Sequence, residues 1–408
     1  MVKEVTRLKK KVLLFIEDGS FTFDNRVLRE TKALREAGWA VTVISPKFKG
    51  DPLYRRIDKD LRAYYYPKPD AETLIGHFKE VFVTLTLGSL LTFWALLRHG
   101  FSVFHACNPM DILWLIAWPY KLIGKKFIFD QHDLVPELIL SRSKIDPQGW
   151  IIKIFLWFEK RSYRLADVVI ATNESYKEKA VVRGKKRADD VFVVRNGPDL
   201  QKFRPISPDK GLKSEHEILV GYLGNMNPQD GADYLLRAAR VIVRERRLSH
   251  IKFVFIGGGA SQPRLHQESQ NWGLDESVTF TGRVPDAEML AALSACDICV
   301  QPDPMNPLND LSTMNKVMEY MAMEKPVIAF DLKETRVSGG DAALYVKPND
   351  VGALVDQIIY LAGRPDRRRE MGRAGRQRIE GMLAWKYSVE GLLNAYKAVE
   401  RSKHRKPD

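Results

Sequence analysis

Ile218–Gly224 (ILVGYLG), Ile251–Gly259 (IKFVFIGGG), Val278–Val284 (VTFTGRV), Asp297–Asp303 (DICVQPD) and Lys325–Asp331 (KPVIAFD) are short apolar runs closed by glycine, proline or aspartate. A helical pattern follows each of them. Short strands alternating with helices predict a parallel sheet covered on both faces. Ligands of such sheets bind beyond the carboxyl ends of the strands. Those ends hold the least ordinary residues here: GNMNPQDG (Gly224–Gly231), GGG (Gly257–Gly259), GRVP (Gly282–Pro285) and PLNDLSTMNK (Pro307–Lys316), the last leading into the helix VMEYMAME. This half reads as a nucleotide-binding domain.

The N-terminal half repeats the alternation. Lys11–Asp18, Trp39–Pro46, Phe101–Cys107, Lys125–Asp133, Ala166–Asn173 and Asp190–Gly197 read as strands, and Phe23–Gly38 as an amphipathic helix stopped by glycine. The expected organisation is therefore α/β throughout. Residues 1–197 form one Rossmann-like domain, 198–385 a second facing it across a cleft, and 386–408 a C-terminal helix packing back toward the first.

A chain of 408 residues exceeds one ordinary core, which agrees with two domains. Three cysteines make no disulfide framework and fit a reducing cytoplasm. Cys296 and Cys299 are spaced as a metal pair but lack partners, so they read as buried strand residues. No signal peptide is expected, because Glu17 and Asp18 follow the first apolar run. The formal charge of +13 gathers at Arg7–Lys11, Arg183–Arg187, Arg364–Arg378 and the tail after Arg401. Such a field suits a polyphosphate substrate or an anionic membrane face. With no aromatic-interleaved basic motif or zinc finger, nucleic acid is not an expected partner. Val81–Leu97 is uncharged and near the lower length limit of a spanning helix, about 17 residues. Thr84, Gly88, Ser89 and Thr92 interrupt it, which favours a buried or membrane-surface helix.

The phrases FDNRVLRETKALREAGWAVTVIS, FDQHDLVPE, ADVVIATNES, VFVVRNGPDLQKFRP, GYLGNMNPQDGADYLLRAA, FTGRVP and MNKVMEYMAMEKPVIAFDL occur in the order seen in family 4 glycosyltransferases of the GT-B fold. The chain resembles that family from about Val12 to Leu392, and most resembles bacterial members that build surface polysaccharides. The resemblance implies transfer of a sugar, with retention, from a nucleoside diphosphate sugar to a glycan or lipid-linked acceptor. It implies a cytoplasmic enzyme, peripheral at the inner face of the membrane, with no cofactor and no essential metal.

A diphosphate leaving group calls for backbone N–H donors and helix N-termini. By resemblance the donor set is Gly224, Asn225, Met226, Arg195, Asn196, Arg283, Val284, Ser312, Met314, Asn315, Lys316 and Glu319, with Glu319 on the ribose hydroxyls. His132, Glu319 and Lys316 are the expected catalytic residues, His132 standing beside the transferred sugar. Gly19, Asp24, Asn25, Arg26, His105, Asp133 and Glu137 are the expected acceptor set. Asp24 is equally suited to cap a helix, and Arg26 to reach a phosphate.

The chain departs from the family pattern in two places. Asn225 and Asp230 stand where many relatives carry two cations, and Leu311 stands where the first glutamate of a paired motif is usual. Lys316, Arg283 and Arg195 are then the cations left for the diphosphate, Lys316 foremost because a helix N-terminus adds its dipole.

Three other readings compete. A nicotinamide enzyme would carry a third glycine after Gly257-Gly258-Gly259, and none is present. A nucleotide-sugar 2-epimerase of the same fold would turn over its donor without an acceptor. A non-catalytic nucleotide-sugar-binding protein would turn over nothing. Asp58-Lys59-Asp60 has the spacing of a metal motif but reads as a polar loop.

Overall fold

A computed structural model describes residues 10–69, 74–142 and 145–402. The basic residues Arg7–Lys9 and those after Ser402 lie outside them. The chain divides into two compact units. One takes the chain up to Ile139, Ile145–Val194 and everything from Val389; the other takes Arg195–Ser388 with the short piece at Leu140.

The first unit is built on an eight-stranded sheet, ordered β3-β4-β2-β1-β5-β6-β7-β8. The strands are β1 (Lys10–Ile16), β2 (Trp39–Lys47), β3 (Tyr54–Arg56), β4 (Leu61–Pro67), β5 (Val103–Cys107), β6 (Lys126–Gln131), β7 (Val168–Ala171) and β8 (Val191–Val193). All pairs are parallel except β3 with β4, a hairpin at the edge. Asp58 holds that hairpin: its Oδ1 accepts from the N–H of Asp60 and Leu61 at 2.7 and 2.9 Å, and its other oxygen meets Arg35. The helices are α1 (Asn25–Glu36), α2 (Leu74–His99), α3 (Trp114–Leu122), α4 (Val135–Arg142), α5 (Trp150–Leu165) and α6 (Glu174–Val182).

In the second unit β9 (Ile218–Leu223), β10 (Ile251–Ile256), β11 (Val278–Gly282), β12 (Ile298–Gln301), β13 (Val327–Phe330) and β14 (Ala343–Val346) form an all-parallel sheet. Its order is β11-β10-β9-β12-β13-β14. The chain walks outward from β9 in one direction, then restarts at β12 on its other side, so the β9/β12 boundary is a topological switch point. The surrounding helices are α7 (Ala232–Arg240), α8 (Gln262–Asn271), α9 (Asp286–Ala295), α10 (Asn315–Ala322), α11 (Lys333–Gly339), α12 (Val351–Ala362) and α13 (Pro365–Arg378). The last helix, α14 (Trp385–Arg401), begins among residues of the second unit and continues as part of the first.

Cys296 and Cys299 are buried and reduced in this sheet, and a Cβ on Gly221 would come within 2.4 Å of Cys296 Sγ. They serve packing. The run Val81–Leu97 lies in α2, and the side that packs inward carries its small and hydroxyl residues. Thr84, Thr92 and Ala95 are buried, while Phe78, Phe82 and Leu97 are 76%, 69% and 66% exposed.

Candidate functional site

In the second unit three turns meet at the carboxyl ends of β9, β10 and β11. Gly224 N–H donates to Ile256 O, Met226 N–H to Gly258 O and Gly257 N–H to Gly282 O, each at 3.0 Å. Gly257 has φ of 125°, and a Cβ there would stand 2.1 Å from Gly224 O. Only glycine permits that conformation and that approach. The triple glycine is thus a packing device beside the first turn, and its lack of a dinucleotide fingerprint is explained by position.

At the switch point itself, α10 opens with Asn315 and Lys316. Lys316 Nζ lies 2.8 and 3.0 Å from the carboxylate of Asp303, just past β12, and 4.8 Å from the Tyr222 ring centroid on β9. Burial opposes the ammonium charge, but Asp303, with Tyr222 and Asp230, outweighs it and raises the Lys316 pKa. Tyr320 fastens the two strands: its hydroxyl accepts from Leu223 N–H at 2.8 Å and donates to Val300 O at 3.2 Å. Glu319, one turn into the same helix, is half-buried.

The expected cations are therefore unequal. Lys316 is internally matched by Asp303. Arg195 Nη1 stands 3.3 Å from the buried Glu334 and 3.4 Å from Thr313 Oγ1. Arg283, exposed after β11, has no ion pair among the described residues. Asp230 forms a capping box with Asn227 and receives its N–H at 2.9 Å, so it organises the turn. Asn225 is exposed and accepts from the Tyr222 hydroxyl through its carbonyl; Met226 is buried. Ser312 donates to Leu308 O at 2.8 Å, Met314 precedes α10 as its N-cap, Asn196 follows Arg195, and Val284 follows Arg283.

In the first unit the candidate residues converge past β1, β5 and β6. Asp130 on β6 is their hub. It meets Arg26 Nη2 at 2.9 Å, His132 Nε2 at 2.8 Å and His105 Nε2 at 3.3 Å. Burial works against its charge, but Arg26 and then the imidazoles outweigh this and hold the carboxyl well below its usual range. Burial likewise opposes a charged His132, yet Asp130 prevails and the imidazole pKa is raised. Asn108 fixes the backbone, its Oδ1 accepting from His132 N–H at 2.6 Å.

Several expected acceptor residues are placed otherwise. His105 is fully buried, bonded through Nδ1 to the Tyr396 hydroxyl at 2.8 Å, and so cannot touch an acceptor. Arg26, expected to reach a phosphate, is buried between Asp130 and Glu30 and donates to Val194 O at 2.8 Å. Glu137 is buried in an ion pair with Arg183 at 2.8 Å. Asp24 is the N-cap of α1, accepting from Arg26 and Val27 N–H at 3.0 Å each. Gly19, Asn25 and Asp133 remain at the surface or partly buried; nothing lies within 4 Å of a Cβ built on Gly19.

Glu30 escaped the sequence reading. Its spacing from Arg26, one helical turn, was the available signal. Burial, then Asp130, raise its pKa to about 7 against the lowering pull of Arg26. Ligand atoms of Glu30, His105, Cys107 and Asp130 lie within 4.8 Å of one another. Arg26 forms an ion pair with each carboxylate, at 3.0 Å to Glu30 and 2.9 Å to Asp130, while neither Glu30 oxygen has a hydrogen-bond donor among the described residues. Asp303 and Glu334 were also missed, since their pairing with Lys316 and Arg195 is visible only in three dimensions.

Two family models match the chain. One, described as Glycosyltransferase Family 4, covers residues 24–202, and the other, Glycosyl transferases group 1, covers residues 217–364. The chain belongs to glycosyltransferase family 4. An alpha-maltose-1-phosphate synthase from Mycolicibacterium smegmatis is 27% identical over 68% of this chain and 74% of its own length. The D-inositol 3-phosphate glycosyltransferase relatives are matched over about half of their length. A sucrose-phosphate synthase structure from Thermosynechococcus elongatus superposes with a TM-score of 0.78 at 20% identity, covering 95% of this chain and 98% of the other. A structure of Anabaena HepE solved with UDP-glucose gives a TM-score of 0.69 at 15% identity, covering 95% of this chain and 99% of the other. These likenesses establish the GT-B fold for this family 4 chain.

Proposed function

We propose that this glycosyltransferase moves a sugar, with retention of anomeric configuration, from a nucleoside diphosphate sugar to a glycan or lipid-linked acceptor of the cell surface. The observation that carries the donor half is the β9/β12 switch point, where glycine turns and the N-terminus of α10 surround Lys316, Asp303 and Glu319. Backbone N–H groups and a helix N-terminus there stabilise diphosphate charge as the bond to the sugar breaks. Arg283, without an ion pair among the described residues and next to the β11 turn, supplies uncommitted positive charge; Lys316 and Arg195 act with their carboxylate partners attached. Glu319 accepts from the ribose hydroxyls.

In the first unit His132 hydrogen-bonds a sugar hydroxyl or offsets positive charge at the anomeric carbon. Asp130 fixes its ring and favours its protonated form. A phosphate oxygen of the donor takes the acceptor proton, so the reaction needs no separate side-chain base. The solved relative containing UDP-glucose supports a uridine diphosphate donor as the first to try. The deciding experiment is calorimetric binding of a panel of UDP-, GDP- and ADP-sugars, followed by product analysis. Saturable binding of one nucleotide class is expected. No binding by any of them would overturn the donor assignment, and an inverted product would overturn retention.

A further inference from the structure

Residues of like parity on neighbouring strands share one face of a sheet. β5 and β6 pair Cys107 with Asp130, so His105, two positions before Cys107, is the diagonal neighbour of Asp130 on that face. α14 packs there. Leu392, Ala395, Tyr396 and Val399 recur at helical spacing and are all buried, which sends the Tyr396 side chain inward with the rest of the stripe. Its hydroxyl meets His105 Nδ1 at 2.8 Å, and His105 Nε2 meets Asp130 Oδ2 at 3.3 Å. The Trp39 ring, edge-on at 4.9 Å and 74°, fixes the tyrosine from β2.

The groups at either end decide how the protons run. Burial, with Glu30, Cys107 and Asp130 nearby, raises the Tyr396 pKa well above its ordinary value, so the hydroxyl keeps its proton. Asp130, held well below its usual range, has none to give. His105 therefore accepts at Nδ1 and donates from Nε2, the one tautomer that satisfies both neighbours. Asp130 uses its two oxygens differently. Oδ1 belongs to Arg26 Nη2 at 2.9 Å; Oδ2 faces His105 and His132 and lies 3.4 Å from Arg26 Nε. Arg26 Nε also stands 2.9 Å from His132 Nε2, but the raised imidazole pKa keeps a proton on that nitrogen, so Asp130 is its partner. His132 has 17% of its side chain exposed, Asp130 and His105 none, and Tyr396 is 1% exposed. Only the His132 end of the line can touch a substrate.

We infer that Tyr396 and His105 are positioning residues for the reaction at His132: the tyrosine fixes the His105 tautomer, and His105 with Arg26 holds the Asp130 carboxylate so that Oδ2 faces the imidazole. This rests on the proposed meeting of His132 with the transferred sugar. The tyrosine hydroxyl is what distinguishes the two nitrogens of His105. Without it the ring is free to carry its proton on Nδ1 and turn a bare lone pair on Asp130, and a carboxylate facing a lone pair swings away. Both buried residues then act without approaching donor or acceptor, through the orientation of a ring that does.

Nitrogen-15 NMR of the imidazoles in the full chain, with no donor or acceptor present, reads this line of hydrogen bonds. His105 is expected with its proton on Nε2, and His132 with a downfield, hydrogen-bonded Nε2 proton. Tyr396→Phe keeps a ring against Trp39 and should let the His105 tautomers average and weaken the His132 signal. His105→Leu should abolish that signal, and His105→Gln, which offers an amide N–H in place of Nε2–H, should restore it in part. The other ionisable neighbours, Asp24, Arg26, Glu30 and Cys107, stay in place in each variant. With substrates supplied, Tyr396→Phe and His105→Leu should lower kcat roughly tenfold, the worth of one hydrogen bond, at unchanged KM for the nucleotide sugar. The expected ring signals in a protein that turns over no donor would support the line and tell against the proposed reaction alone. A wild-type His105 protonated on Nδ1, a His132 signal unchanged in both Tyr396→Phe and His105→Leu, or equal loss in His105→Leu and His105→Gln would each overturn the inference.

Discussion

Asp130 Oδ2 and His132 Nε2 lie 2.8 Å apart, although the two residues are separated by a single position at the end of β6. The carboxylate raises the imidazole pKa despite burial. The stabilisation from this pair is complete below the unfolded histidine value of about 6.5 and is lost as pH rises through the higher folded value. Asp130→Asn should therefore move the His132 ring titration, followed by NMR, to lower pH and strip turnover while nucleotide affinity stays. An unmoved titration in the folded variant would show that Asp130 does not govern the ring.

His132→Ala should retain nucleotide binding and lose turnover, because the side chain belongs to the first unit and not to the glycine turns of the second. Wild-type rates in this variant would reduce His132 to a structural residue.

Glu319→Ala should weaken nucleotide binding by about 1–3 kcal/mol, the cost of leaving ribose hydroxyls without their acceptor. Calorimetry against the bare nucleoside diphosphate measures it, and unchanged affinity would remove Glu319 from the site.

The Lys316–Asp303 pair is almost wholly buried, with side-chain exposures of 11% and 2%. Removing either partner, as Lys316→Met or Asp303→Leu, should cost about 3–5 kcal/mol of stability by stranding a charge. The double variant should cost less than the sum in urea unfolding. Strict additivity would mean the two side chains do not act as a pair.

Glu30 has a folded pKa of about 7 against an ordinary 4.5. Its carboxyl holds a proton more tightly in the folded state, so folding loses stability as pH rises from 4.5 through 7. Glu30→Gln removes that dependence. Its Tm relative to wild type should climb between pH 5 and pH 8; a flat difference would contradict the placement of Glu30 against Asp130.

The strands of the second unit were legible because glycine punctuates apolar runs such as Ile251–Gly259, and the switch-point logic follows from their order. β4 was not, since Leu61–Pro67 is a tyrosine-rich run without alternation, and β14 is only four residues long. In α2 the small and hydroxyl residues face the core and the large apolar ones are exposed, an orientation that an uncharged run does not by itself disclose. Arg26 shows the same boundary. Its link to Glu30 was within local reach, but the partner that decides its role, Asp130, lies 104 positions away. His105 sits on the strand face toward Tyr396, which only sheet register could reveal.

The return of α14 to the first unit bears on how the molecule is made. Tyr396 holds His105 through its hydroxyl and meets the Trp39 ring at 4.9 Å, and a Cβ on Gly391 would stand 2.5 Å from Val193 O. These partners of β2, β5 and β8 leave the ribosome only after the whole second unit has been synthesised. The nascent first unit must therefore wait, uncapped along that side, while the second unit completes its own sheet. A fragment ending at Val194 would keep all eight strands and still lack the helix that finishes them.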